Sequence, residues 1–118
     1  MMIERHVYWR GEISAAHRLE LDYESKCNRL HGHNYMVEVW AYGDLDKNGM
    51  IIDFSVIKEI VFRYDHRDLN DILDQPTAEN IAGDILRNLI EKGLGKARVR
   101  VWEDKDSYAE VEWNHEDR

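Results

Sequence analysis

Three histidines and the one cysteine of the chain lie between positions 17 and 33: His17 closes Ile13-Ser14-Ala15-Ala16-His17, and Cys27-Asn28-Arg29-Leu30-His31-Gly32-His33 follows. His31 and His33 are two apart. On a strand, such a pair leaves one face with Cα atoms roughly 6.5–7 Å apart, so both imidazoles can reach a single ion at roughly 2 Å. Residues 32–42 have strand composition. A third imidazole, from His17, joins the pair only if an earlier strand runs alongside, and that requirement constrains the fold more than any other feature. Gly32, between the two histidines, is expected where backbone approaches closely or bends. Three histidines leave a fourth position open, the pattern of a catalytic zinc rather than a structural one. A thiol beside them is a candidate nucleophile or base. The plainer alternative is a pair of exposed strand histidines holding no ion.

The length of 118 residues predicts a single domain, 1–118, with a small core. A hydrophobic fraction of 43% against 34% charged residues predicts a soluble globular chain rather than a disordered one. No apolar run approaches the roughly 20 residues that a membrane span needs. Met1-Met2-Ile3-Glu4-Arg5-His6 carries no apolar leader, and one cysteine makes no internal disulfide, so a cytoplasmic location is expected. The net charge of −8 argues against nucleic-acid binding, and an anionic substrate would need a local basic pocket.

The hydrophobic period gives the organisation. Residues 7–13 read as a strand and 34–42 as a better one, rich in β-branched and aromatic residues. Asn48-Gly49 marks a turn. From Asp53 the period becomes helical through Phe54, Ile57, Ile60 and Val61, with Asp53 or Ser55 as N-cap. A second helix opens at Pro76 and Thr77, with a capping box of Thr77 and Asn80. It carries the stripe Ile81, Ile85, Leu86, Leu89 and Ile90 and ends at Gly93 and Gly95. Residues 97–102 and 108–113 alternate as strands around a turn at 103–107, and Asn114–Arg118 is expected to fray. The order ββααββ is an α+β fold, four antiparallel strands with two helices on one face. Such a sheet has two edges, and closing them against other copies of the chain would build an oligomer with sites between subunits.

Outside the histidine cluster, Asp65-His66 offers a carboxylate that orients or charges an imidazole. Glu103, at a strand end, offers an acid that can face an interface. His6 and His115 read as surface residues.

These pieces together resemble the 6-pyruvoyltetrahydropterin and 6-carboxytetrahydropterin synthase family. The resemblance rests on Ala15-Ala16-His17, Cys27-x3-His31-Gly32-His33, Gly49-Met50-Ile51-Ile52-Asp53-Phe54, Asp65-His66-Arg67-Asp68-Leu69-Asn70, Pro76-Thr77-Ala78-Glu79-Asn80 and Glu103, in the family's order along nearly the whole chain. It implies the tunnelling fold, in which trimers close a barrel and two trimers stack into a homo-hexamer. It implies zinc on His17, His31 and His33, and Cys27 as catalytic thiolate with Asp65 and His66 in its proton-transfer group across a subunit boundary. Glu103 would anchor the pterin ring, and Thr77 and Glu79 would line the same pocket. The gap from Cys27 to His31 resembles the carboxytetrahydropterin branch. That branch implies conversion of 7,8-dihydroneopterin triphosphate to 6-carboxy-5,6,7,8-tetrahydropterin with release of acetaldehyde and triphosphate, on the way to deazaguanine nucleosides of tRNA (queuosine or archaeosine). Lys26 and Arg29 are the candidate triphosphate contacts. Asp104 and Tyr64 depart from the family's usual small hydroxyl and apolar residues and bear on the preferred substrate.

Pyruvoyltetrahydropterin synthesis and aldolase-like cleavage of dihydroneopterin would use nearly the same residues. A zinc nucleobase deaminase is excluded, because its His-x-Glu and Pro-Cys-x-x-Cys pattern needs cysteines that the chain lacks. A metal-binding interaction module without catalysis is the remaining alternative.

Overall fold

The computed structural model describes residues 3–115. Strands β1 (His6–His17), β2 (His31–Tyr42), β3 (Lys96–Trp102) and β4 (Tyr108–Asn114) form one antiparallel sheet in the order β1-β2-β3-β4, with helices α1 (Phe54–Phe62) and α2 (Ala78–Ile90) inserted between β2 and β3. This is the expected ββααββ arrangement.

Alternation decides which face meets the helices. Ile13 and Ala15 of β1, Tyr35, Val37, Val39 and Ala41 of β2, and Ala97, Val99 and Val101 of β3 are all buried. They pack with Ile57, Ile60 and Val61 of α1 and Ile81, Ile85, Leu86 and Leu89 of α2. Each large aliphatic side chain withdrawn from water in this layer contributes about 1.5–3 kcal/mol before chain entropy is counted. α1 rests against β1, and α2 against β3 and β4. Asp53 caps α1 by accepting the Ser55 N–H at 2.8 Å.

The opposite face is polar and aromatic. Glu38 accepts the Tyr8 hydroxyl at 2.5 Å and the Trp102 indole N–H at 2.6 Å. Arg100 donates to Glu110 at 2.8 Å, and the Arg98 guanidinium lies 4.0 Å from the Trp40 ring centre.

Four departures from the sequence reading concern strand ends and a helix cap. First, β1 runs four residues past the expected 7–13 boundary, to His17, because its outer edge is occupied there: Ala16 N–H donates to Arg67 O at 3.0 Å and His66 N–H to Ser14 O at 2.6 Å. Second, β2 begins at His31, so both histidines lie on the strand itself. Third, Asn114 pairs with Lys96 and His115 N–H donates to Gly95 O, so neither residue frays; positions 116–118, the rest of the expected tail, lie outside the described residues. Fourth, the capping box is half made. Thr77 Oγ1 accepts the Asn80 N–H at 3.1 Å, but the Asn80 side chain donates to Gln75 O instead of reaching back to position 77. Gly49 and Gly93 take φ of 80° and 84°, the left-handed backbone expected at a turn and a helix end.

Burial opposes ionisation of Glu38, but hydrogen bonds from Tyr8 and Trp102 and the charge of Arg100 outweigh it and hold its carboxyl below its usual 4.5. A depressed carboxyl pKa contributes stability that is present above the unfolded value and is lost as pH falls through the folded one. Glu38→Gln is expected to cost about 1–3 kcal/mol near neutral pH, the range for hydrogen bonds to a charged group. In thermal melts of both proteins, the gap in Tm should close as pH drops below about 4.5. A gap that does not narrow as the pH falls would mean that the carboxylate charge is not its source.

Candidate metal centre

In the β1–β2 register His17 stands directly opposite His31, Ala15 opposite His33 and Ile13 opposite Tyr35. His17, His31, His33 and Tyr35 therefore continue the buried, helix-facing series, and the core face changes at one end from aliphatic side chains to imidazoles. Glu103 is the first residue past β3 and extends the same alternation beyond Ala97, Val99 and Val101. One donor atom from each of His17, His31, His33 and Glu103 lies within 4.8 Å of the others.

Backbone carbonyls aim two of the rings. His17 Nδ1 is 2.7 Å from Pro76 O, and His31 Nδ1 is 2.7 Å from Arg29 O. A carbonyl only accepts, so both Nδ1 atoms carry the proton, and in the neutral rings both Nε2 atoms present lone pairs. Those two Nε2 atoms face each other at 2.9 Å. Two acceptors at that distance repel unless a cation or an added proton lies between them. His17 is fully buried. Burial also lowers the pKa of His33, against the opposing pull of the Glu103 carboxylate. His33 Nε2 is buried without a hydrogen-bond partner, as is the hydroxyl of Tyr35 beneath it. A buried ring nitrogen without a partner, grouped with two facing Nε2 lone pairs, fits a divalent cation.

Tyr35 and the carbonyls of Pro76 and Arg29 escaped the sequence reading. Tyr35 was accessible to it, being two further along the His31–His33 alternation; the backbone carbonyls leave no signal in the residue pattern. Gly32 is corrected. A Cβ there would meet nothing nearer than Ala15 O at 3.6 Å, an ordinary contact, and its φ is not positive, so the site does not require glycine.

The other sequence candidates lie around this centre. Cys27 sits half-buried on a 3-10 turn, Lys26–Asn28, between β1 and β2, and is not part of the four-residue group. Its carbonyl accepts the Leu19 N–H, and its N–H donates to Ser25 Oγ. Asp65 and His66 form a pair at 2.9 Å on the outer edge of β1. Asp65 also accepts the Ser14 N–H at 2.8 Å, and that bond first, then His66, hold its carboxyl below the usual range. His66 adopts φ 57° and is exposed, and with His33, Asn34 and Arg67 it lines a cavity of about 480 Å³. Cys27 makes no hydrogen bond to either member of this pair.

Glu79 and Glu103 line a smaller cavity of about 130 Å³ with Ala78, Ser107, Tyr108 and Ala109. Thr77 is not among its walls; its hydroxyl accepts the Asn80 N–H in the α2 cap. Lys26 and Arg29 are exposed. Asp104 lines a different cavity, with Arg10, Glu38 and Arg100 on the opposite face of the sheet. The buried Tyr64 donates its hydroxyl to Asp84. Neither of these two residues lines the small cavity beside Glu103.

Residues 6–114 match the family described as 6-pyruvoyl tetrahydropterin synthase. A putative 6-carboxy-5,6,7,8-tetrahydropterin synthase of Pyrococcus horikoshii is 38% identical over 93% of this chain and 91% of its own length. A dihydroneopterin monophosphate aldolase of Pyrococcus furiosus is 31% identical over 94% of this chain and 100% of its own. The solved structure of Caenorhabditis elegans 6-pyruvoyl tetrahydropterin synthase superposes with a TM-score of 0.72 at 25% identity, covering 96% of this chain and 98% of that one. The chain has the tunnelling fold and belongs to the 6-pyruvoyl tetrahydropterin synthase family of enzymes.

Proposed function

We propose that this protein is a zinc-dependent lyase that converts 7,8-dihydroneopterin triphosphate to 6-carboxy-5,6,7,8-tetrahydropterin, releasing acetaldehyde and triphosphate. The observation that carries the reading is the convergence of three imidazoles, two of them with Nε2 lone pairs fixed by Nδ1–H bonds to Pro76 O and Arg29 O. An all-imidazole set of this kind suits zinc and leaves room for substrate.

In this account His17, His31 and His33 hold the ion. When bound, zinc acts as a Lewis acid that lowers the pKa of the substrate's side-chain hydroxyls. Cys27 serves as the base that takes the side-chain proton. His66, kept in one orientation by Asp65, returns protons; its ring stands on the exposed edge of β1, where a neighbouring subunit could present Cys27 to it. Glu103 and Glu79 supply two acceptors to the small cavity, the chemistry that recognises an amino-pyrimidinone edge rich in N–H. Thr77 supports this wall through its cap. Lys26 and Arg29 meet the triphosphate from the Cys27 loop. The outer edges of β1 and β4 have no neighbouring strand among the described residues, and pairing them between copies would give the barrel of a homo-hexamer. The product would feed deazaguanine nucleoside formation in a reducing cytoplasm.

Aldolase cleavage of a dihydroneopterin is the second reading, favoured by the full-length similarity to the Pyrococcus furiosus aldolase. Mass spectrometry of the products decides between the two. Acetaldehyde with free triphosphate supports the lyase, and a two-carbon hydroxyaldehyde with the phosphate retained supports the aldolase.

Two variants test the site. His31→Ala is expected to lose stoichiometric zinc and turnover together, by elemental analysis and assay of the same samples. Zinc retained at one equivalent would remove the centre of this account. Cys27→Ala is expected to keep its zinc and lose turnover by about a hundredfold or more, the scale of a lost general base. An unchanged rate would remove Cys27 from the role of base, and no turnover in the wild type with zinc still bound would return the chain to a metal-binding module.

A further inference from the structure

Glu103 borders two places at once. Its Oε1 is 3.2 Å from His33 Nε2 and 3.6 Å from His17 Nε2, and its side chain also forms part of the small cavity shared with Glu79. Resting on the reading above, we propose that Glu103 is a displaceable fourth ligand. In the substrate-free protein its carboxylate closes the position that the three histidines leave open, and when a pterin docks it turns into the small cavity and accepts the ring's N–H groups.

Three observations carry this. The first is distance. Four ligands at roughly 2.0–2.2 Å from one ion in a tetrahedron are about 3.3–3.6 Å from each other. The donor atoms here are 2.9 Å (His17 to His31), 3.2 Å and 3.6 Å apart, at that edge length or a few tenths below it, and all four lie within 4.8 Å of one another. The second is direction. Glu103 approaches His33 Nε2 to 3.2 Å, yet that nitrogen has no hydrogen-bond partner. The carboxylate oxygen is thus close to His33 Nε2 without satisfying it, and a cation between the two would be met by both.

The third is freedom to move. Glu103 lies just beyond β3, and its side chain is 34% exposed. Its backbone is held by N–H donation to Ser107 O at 3.0 Å, so the carboxylate can rotate while the main chain stays put. Cys27 is outside the cluster, so among the described residues the anion that completes it is this carboxylate. While bound, the carboxylate offsets one of the ion's two charges. Its departure restores that charge as the substrate hydroxyls arrive, which ties ring recognition to activation.

Cobalt(II) titration of the metal-free protein reads the ligand set directly through the visible absorption band. Glu103→Gln is expected to bind cobalt about tenfold or more weakly and to show a shifted band, with circular dichroism and Tm confirming an intact fold. Glu103→Asp is expected to follow it, because the shorter side chain keeps the charge and loses the reach. Adding neopterin to the wild-type cobalt protein should move its band, with binding followed independently by pterin fluorescence.

An unchanged affinity and band in Glu103→Gln would overturn the ligation, and so would wild-type behaviour in Glu103→Asp, which would mean that charge alone is at work. Neopterin bound with the wild-type band unmoved would overturn the displacement. If neopterin does not bind and the triphosphate is not turned over, the displacement falls along with the pterin reading. The titration without pterin still judges whether Glu103 is a ligand.

Discussion

The pairing of His17 with His31 across β1 and β2 is the contact on which the site depends. Side chains alternate with period two, so a slip of one residue would send His17 to the polar face and leave its ring alone there. What forbids the slip is apolar burial. Ile13 and Ala15 on β1 face the helices in the same series as His17, and the slip would expose both while burying Glu12 and Ser14. The core thus chooses the register, and the register delivers the imidazoles. Stability and site are one face of one sheet.

The helices contribute more than cover. Pro76 is buried at the start of α2, and its carbonyl takes the His17 Nδ1–H. Thr77 fixes the backbone there by capping, so the position of a carbonyl that orients a site residue depends on a helix N-terminus. The segment before α2 acts at the opposite edge. Arg67 O and the Asp65 carboxylate occupy backbone donors of β1 at Ala16 and Ser14, extending the strand as far as His17. Without that partner the end of an edge strand would have little reason to stay extended.

Much of this was legible in the residue order. The alternation of 34–42 and 97–102, the helical stripe from Ile81 to Ile90 and the caps at Asp53 and Thr77 gave the architecture, because each is a local pattern with a local cause. The three histidines were legible by parity. Placing Glu103 among them was not. Its own alternation puts it on the helix-facing side, but its level along the sheet is set by the pairing of Met36 with Trp102, across two intervening helices, and no local signal fixes that. The half-made capping box failed for a similar reason. Gln75 O offered Asn80 a better-placed acceptor than the sequence motif anticipates. The extension of β1 was missed because its cause is a loop fifty residues away in the chain.

The geometry also locates where the cost of the site lies. With both Nδ1 protons committed to carbonyls, His17 and His31 relieve their facing lone pairs by changing tautomer only if a carbonyl bond is given up, and for His17 that bond is buried. Turning His17 out is equally closed, since the ring is fully buried against Tyr35 and His33. The repulsion therefore belongs to the unprotonated, metal-free fold, and a cation or a proton between the two nitrogens would remove it. The apolar face supplies the free energy that holds the imidazoles in place before any ion arrives. That is what separates a prepared centre from histidines that merely share a strand: the lone pairs are already aimed, and the chain has no cheap way to aim them elsewhere.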